Sequence, residues 1–151
     1  EQGGITKDGS KMINAVSNST VPHISIILAS SYGAGNYAMS GRAFGTRFTF
    51  VWPLAKIAVM GPKQMAGVMS IVGKAAAERK GIKFDQEADA ERAKIAEHWA
   101  EERSKAIYAT SRIADDGMID PRDTREVIAI CLSTLSNNTV EGTKEYGTWR
   151  M

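Results

Sequence analysis

The chain has 151 residues, a mass of 16.3 kDa and a formal net charge of +2, with 43% hydrophobic and 24% charged residues. That is the size of one domain, and the composition excludes disordered, collagen-like and disulfide-stapled chains. The small net charge offers no basic stripe for nucleic acid, and no apolar run approaches the roughly 20 residues of a membrane helix. The single cysteine, Cys131, cannot form an internal disulfide and fits a reducing compartment.

Charge is unevenly spread. Residues 1–70 carry 8 charged side chains, residues 71–151 carry 28, and 9 of the 14 glycines fall in the first 70. A stretch so poor in charge is expected to be covered on several sides, by the rest of the chain or by a partner. The chain starts at Glu1 without an initiator Met or a basic, apolar-cored leader. That reads as a processed chain or a piece of a longer one.

In chain order, Ile5, Met12, Ile13 and Val16 share one helical face, which predicts a helix over about 4–17 that stops at Ser17-Asn18-Ser19 and Pro22. The β-branched run from Ile24 to Ala29 predicts a strand covered on both faces. Ser30 to Gly35 forms a small-residue loop, followed by a short helix over Asn36 to Arg42. Arg47 to Trp52 alternates as a strand and ends at Pro53, and Lys56 to Met60 is a further strand. Pro62 opens a helix in which Met65, Val68, Met69 and Val72 repeat at i, i+3, i+4, i+7. Gly81 stops it, and Asp85 caps a charged helix over about 86–108, supported by the pairs Glu91–Lys94 and Glu101–Lys105. Asp115-Asp116-Gly117 is a turn. Asp120-Pro121-Arg122-Asp123 then starts a helix that runs to about 136. The domain is therefore expected over 1–136, with a polar tail over 137–151. No internal repeat is visible, and strands alternating with helices give the α/β class.

The most specific local feature is Tyr32-Gly33-Ala34-Gly35-Asn36, between an apolar strand and a helix. Small residues leave backbone N–H groups open there, and a helix N-terminus adds partial positive charge, so the loop suits an oxyanion or an anionic ligand. A tight strand-to-helix turn needing glycine for steric reasons explains the same residues. The dinucleotide fingerprint G-x-G-x-x-G fails at Ala38, and no Gly-Lys-Ser/Thr follows for a phosphate loop. Met60-Gly61-Pro62 is a second, weaker candidate for an anion. His23 and His98 stand in no metal-ligand spacing, so no metal site is expected. Cys131 falls on an apolar helix face and reads as packing, as do Met65 and Met69. Ser30 and Ser31 lack a nucleophile-elbow context.

The run Ser31-Tyr32-Gly33-Ala34-Gly35-Asn36-Tyr37-Ala38-Met39-Ser40-Gly41-Arg42-Ala43 resembles the carboxyltransferase (β) subunit of biotin-dependent acyl-CoA carboxylases, closest to the methylcrotonyl-CoA and geranyl-CoA branch. The similarity extends through Gly4-Ile5, Gly9 to Val16, Phe50-Val51-Trp52-Pro53, Ile57 to Pro62 and Asp115 to Arg125, in the same order. The resemblance implies an incomplete C-terminal portion of a crotonase-like ββα superhelix with long peripheral helices. It also implies transfer of the carboxyl group from N1-carboxybiotin, carried on a partner, to the enolate of an acyl-CoA. In that family the active site lies between two crotonase-like domains of neighbouring subunits, and this segment corresponds to the biotin side.

By position, the N–H groups of Ala34 and Gly35 would face the biotin ureido oxygen, Gly33 would allow the approach, and Asn36 would complete the biotin-binding loop. The implied partners are the acyl-CoA-binding domain absent from these 151 residues, a biotin carboxylase and carrier α subunit, and further β subunits. The implied location is the cytoplasm of a bacterium or a mitochondrial matrix. Gly-Ala-Gly-Asn, where the acetyl- and propionyl-CoA branch tends to have Gly-Gly-Ala-Tyr, favours a methylcrotonyl-like substrate. Ser40, Phe44-Gly45-Thr46 and Ile113-Ala114 depart from that branch and leave the acyl chain open. Two other readings are a stand-alone enoyl-CoA hydratase or isomerase and a non-catalytic assembly domain. Residues 30–70 contain no acid, which counts against the hydratase.

Overall fold

In a computed structural model of the chain, residues 3–145 and 147 are described. Glu1, Gln2 and part of the expected tail, Tyr146 and Thr148 to Met151, lie outside them. The elements are α1 (Ile5–Asn18), β1 (Ile24–Ile27), β2 (Ser30–Tyr32), α2 (Gly33–Ala38), β3 (Phe48–Val51), β4 (Lys56–Ala58), α3 (Pro62–Arg79), α4 (Gln86–Ser104), α5 (Ala106–Thr110) and α6 (Thr124–Leu135).

The strands form two parallel pairs rather than one sheet. β1 lies beside β3 with Ile24 opposite Phe48 and Ile27 opposite Val51. β2 lies beside β4 with Ser30 opposite Lys56 and Tyr32 opposite Ala58. Two ββα units are thus stacked in register, β1-β2-α2 and β3-β4-α3, the second repeating the first about 25 residues later. The sequence shows no such repeat, because the units share backbone geometry and not side chains.

The strand expected over 24–29 ends at Ile27, and after a bend a second short strand, β2, takes residues 30–32, which were expected to begin the loop. β1 is half-buried along its length rather than covered on both faces, since its pair has only two strands. β3 alternates as expected. Thr49 and Val51 are buried, while Phe48 and Phe50 stack on the other face with ring centroids 6.3 Å apart.

Later segments return to these strands. Val51 N–H donates to Gly117 C=O at 3.1 Å, and Ile119 N–H donates to Val51 C=O at 2.9 Å. Ala106 N–H donates to Ala55 C=O at 2.9 Å. The fully buried centre is therefore Val51, Ala55 and Ala106, with Ile27, Ile57 and Met118 around it. The return of residues 105–106 to the strand edge also corrects the single helix expected over 86–108. At Lys105 the backbone is extended (φ −60°, ψ 143°) and bridges Lys56, so α4 ends at Ser104 and α5 starts anew. Glu101 consequently pairs with Lys56, and Lys105 pairs with Glu102, instead of the expected Glu101–Lys105 contact.

Asp115-Asp116-Gly117 does more than turn the chain. Asp115 is buried and accepts from Thr110 Oγ1 and Gly117 N–H, each at 3.0 Å. Asp116 accepts from Thr49 N–H at 2.7 Å and pairs with Arg42 at 2.8 Å. Burial pushes the Asp116 carboxyl up, but Arg42 and the Thr49 N–H outweigh it and hold it below the usual carboxylate range. Trp52 Nε1–H donates to Thr124 Oγ1 at 3.0 Å and ties β3 to the start of α6.

The tail doubles back onto the end of α1. Thr143 Oγ1 accepts from Thr20 N–H at 3.0 Å and donates to Asn18 C=O at 2.7 Å, and Gly147 N–H donates to Asn18 Oδ1 at 2.9 Å.

The accessible surface is 11011 Å². A freestanding globular protein of this mass exposes about 7,500 Å². The excess falls partly on α3, whose stripe Met65, Val68, Met69 and Val72 is exposed in this chain rather than buried as expected. Among the described residues of α3, Ala66 alone is buried.

Candidate functional site

The parallel register brings two turns to one end of the β2–β4 pair. Tyr32 and Ala58 are the last partners, so Gly33 and Val59 leave the strands side by side. Gly33, Ala34 and Gly35 are not a loop before a helix, as the sequence suggested, but the first turn of α2. Their N–H groups therefore have no acceptor within the helix. Tyr32, at the N-cap, offers no side-chain cap. Ala34 and Gly35 are exposed. The first turn of α2 thus presents backbone donors, with the partial positive charge of a helix start, to the outside.

The glycines there serve different purposes. Gly33 has φ +51°, and a Cβ on it would lie 2.9 Å from the Val59 carbonyl oxygen. Only glycine allows this close approach of the two turns. At Gly35 a Cβ would meet nothing within 4 Å, so the fold places no steric demand on that position.

Asn36 turns its side chain inward. Its Nδ2–H donates to Ser31 Oγ at 2.9 Å, and its amide oxygen lies over Gly41, where any Cβ would collide with it. Its amide braces β2 against the turn after α2, which leaves the loop's outward donors to the main chain.

That following turn is fixed by a buried hydroxyl chain. Ser40 sits in the left-handed region (φ 59°) and is buried with Thr46. The Thr46 hydroxyl faces the carbonyls of Ser40 and Gly41, and also Ser40 Oγ at 2.8 Å. With one proton, Thr46 donates to a carbonyl and accepts from Ser40. Ser40 then accepts from His23 Nδ1–H at 2.8 Å, which assigns the Nδ1 proton. His23 thus has a structural partner.

The second glycine turn is buried at Gly61. The Gln64 side chain folds over Gly61, the N-cap of α3. Cys131 is buried, as expected for packing, and burial followed by the nearby Asp116 charge pushes its thiol pKa up. It is not an activated nucleophile. Among the described residues, no group of three or more His, Cys, Asp or Glu could hold a metal.

Cavities of about 570 and 510 Å³ lie away from the loop, one beside the tail and one between α3 and α4. A groove of about 290 Å³ reaches Ser31 and Asn36. We place the site on the donors rather than on either of the two cavities, because the donors can bind an oxygen of a ligand. Sequence reasoning missed Val59 as the neighbour of the loop. The signal for it lies in the two-unit register, which sets Val59 opposite Gly33.

The described helices include none long and apolar enough to cross a membrane. The chain is 52% identical over its full length to the probable biotin-dependent acyl-coenzyme A carboxylase beta2 subunit of Mycobacterium tuberculosis, covering 28% of that protein. It is 45% identical over its full length to the mitochondrial methylcrotonoyl-CoA carboxylase beta chain of Arabidopsis thaliana, covering 26% of it. The crystal structure of the geranyl-CoA carboxylase beta subunit of P. aeruginosa superposes with a TM-score of 0.78 at 36% identity, over all of this chain and 28% of that one. The stacked ββα units are thus a portion of the crotonase-like fold of carboxyltransferase β subunits. The chain spans about a quarter of the length of the relatives it matches, and the carboxyl transferase domain model matches residues 1–147, so the chain belongs to the carboxyl transferase domain family.

Proposed function

We propose that this chain is the biotin-side part of an acyl-CoA carboxylase carboxyltransferase, contributing to a site that carboxylates an acyl-CoA of methylcrotonyl type. The observation that carries the proposal is the first turn of α2. It exposes the N–H groups of Ala34 and Gly35, with a Gly35 surface that no side chain fills. This arrangement fits a urea oxygen, an uncharged acceptor that gains negative character as its ring nitrogen is freed. Biotin, carried on a partner protein, supplies the transferable carboxyl group.

The chain's own part is electrostatic and steric. Ala34 and Gly35 hold the oxygen, Gly33 lets the two turns meet, and Asn36 fixes the helix start. Donors of this kind are each worth about 10²–10³ in rate.

Residues 30–70 offer no carboxylate to act as a base beside the donors. The acids that reach β3 and β4 are engaged, Glu101 with Lys56 and Asp116 with Arg42 and Thr49. This favours a carboxyltransferase over a hydratase or isomerase, whose acid would stand beside the donors. The relatives' names support biotin and the acyl-CoA class.

An acyl-CoA-binding domain, further β subunits and a biotin-bearing α subunit complete the assembly under this reading. It works in the bacterial cytoplasm or the mitochondrial matrix. The exposed surface of about 3,500 Å² beyond that of a freestanding domain is what such partners would cover.

The test is a titration of the ¹⁵N-labelled chain with free biotin. The amides of Ala34 and Gly35 are expected to shift most. Shifts confined to other residues, or none, overturn the assignment.

A further inference from the structure

We propose that the hollow between α4 and α5 is a docking site for an acidic segment of a partner protein. Arg103 and Arg112 are its carboxylate-binding residues, and Trp99 and Ile107 supply its apolar surface. The proposal does not depend on the biotin reading and shares no residue with it.

The segment from Trp99 to Arg112 carries one pattern twice, an aromatic residue followed four positions later by an arginine. Four residues is about one helical turn, so each arginine can reach back over the ring before it. Both do. The Arg103 guanidinium carbon lies 4.9 Å from the Trp99 ring centre, and that of Arg112 lies 4.3 Å from the Tyr108 ring centre. After the break at Lys105 the two pairs line one hollow of about 460 Å³, together with Ile107. Stacking on a ring fixes a guanidinium plane and leaves its in-plane N–H groups free to take a carboxylate. Both arginines are exposed, and among the described residues neither pairs with an acid. The acids nearest in sequence are taken, Glu101 by Lys56 and Glu102 by Lys105. The hollow therefore presents two unbalanced positive charges. Trp99 and Ile107 are 55% and 65% exposed and add apolar area beside them. Trp, Tyr and Arg gathered in one concavity are the residue types that dominate the energy of protein interfaces. Unbalanced cations beside apolar surface fit a segment in which carboxylates flank an aliphatic or aromatic side chain. The stripe on α3 is exposed too, but Met65, Val68, Met69 and Val72 carry no charge that would choose an occupant.

The test titrates the ¹⁵N-labelled chain with an acetylated, amidated peptide of alternating Glu and Leu, followed at the Trp99 indole N–H and the Nε–H of both arginines. The same peptide with Gln in place of Glu, and inorganic phosphate, are run beside it. Arg103→Gln and Arg112→Gln, at exposed positions, are expected to melt with the wild type. The acidic peptide should shift all three side-chain signals and bind about five-fold more weakly to either variant. Its affinity should fall as salt rises. Equal binding of the Gln peptide, equal binding by both variants, or no shift at these signals overturns the proposal. A matching response to phosphate alone makes the hollow a general anion site, and dimerisation in sedimentation that Arg112→Gln abolishes makes its occupant a second copy. Either result overturns the assignment to an acidic partner protein.

Discussion

Gly33 and Gly35 are two residues apart in one helical turn, and single substitutions should separate them. At Gly33 an alanine must hold φ near +51°, which costs about 1–2 kcal/mol for an L-residue. Its Cβ would also lie 2.9 Å from the Val59 carbonyl oxygen, main chain held by the β2–β4 pair. Gly33→Ala is therefore expected to lose about 2–3 kcal/mol in urea unfolding followed by circular dichroism. At Gly35 φ is not left-handed and the added Cβ meets nothing, so Gly35→Ala should gain about 0.5–1 kcal/mol from the lower entropy of its unfolded chain. Gly35→Val should fold as well as the wild type, yet place two methyls over the open donors and abolish the amide shifts caused by biotin. A Gly33→Ala protein as stable as wild type refutes the close-approach argument. A folded Gly35→Val protein that still responds to biotin refutes the donor argument.

Three further expectations follow from the geometry. Asp116 has its carboxyl held low in the fold, so the unfolded chain takes up the proton first on acidification. Its stabilisation is complete above about pH 4 and is lost as pH falls through the lower folded value. Asp116→Asn should cost about 1–2 kcal/mol at pH 7 and flatten that acid limb in pH-dependent unfolding. Ile113 stands at the left-handed C′ position of a Schellman closure, with Ala114 N–H donating to Ala109 C=O at 3.1 Å. It has φ 61° and is 81% exposed. Ile113→Gly should raise stability by about 0.5–1 kcal/mol, the left-handed penalty less the entropy of glycine; a fall in Tm would show that the isoleucine is held by contacts. Cys131 should resist iodoacetamide at pH 7.5 in the folded chain and react on unfolding; fast labelling of folded protein would contradict its burial.

Much of the fold was legible because it is written locally. Pro62 at a first helical position and the acceptor side chain of Asp85, which takes the N–H groups of Glu87 and Ala88, mark helix starts that need no tertiary help. What was not legible depends on distant partners. Nothing between Ala100 and Thr110 breaks a helix, and α4 ends because Lys105 is drawn to Lys56 and Ala106 to Ala55. The stacking of two ββα units is a backbone regularity with no matching side chains. It alone reveals that Val59 neighbours Gly33. The glycine loop was found from composition, but its division of labour was not. That Gly33 is steric, Gly35 is open and the Asn36 side chain is a brace follows from φ values and near neighbours. The stripe on α3 was correctly periodic yet is exposed, because periodicity marks a face to be covered and not the molecule that covers it.

The central claim is that backbone donors at the start of α2 serve carboxyl transfer. Its most direct test is carboxyl transfer to methylcrotonyl-CoA by a family-length polypeptide that carries this segment, with and without Gly35→Val. The account predicts a loss of about 100-fold or more in rate with unchanged thermal stability and assembly. Wild-type transfer by a folded Gly35→Val enzyme would contradict it.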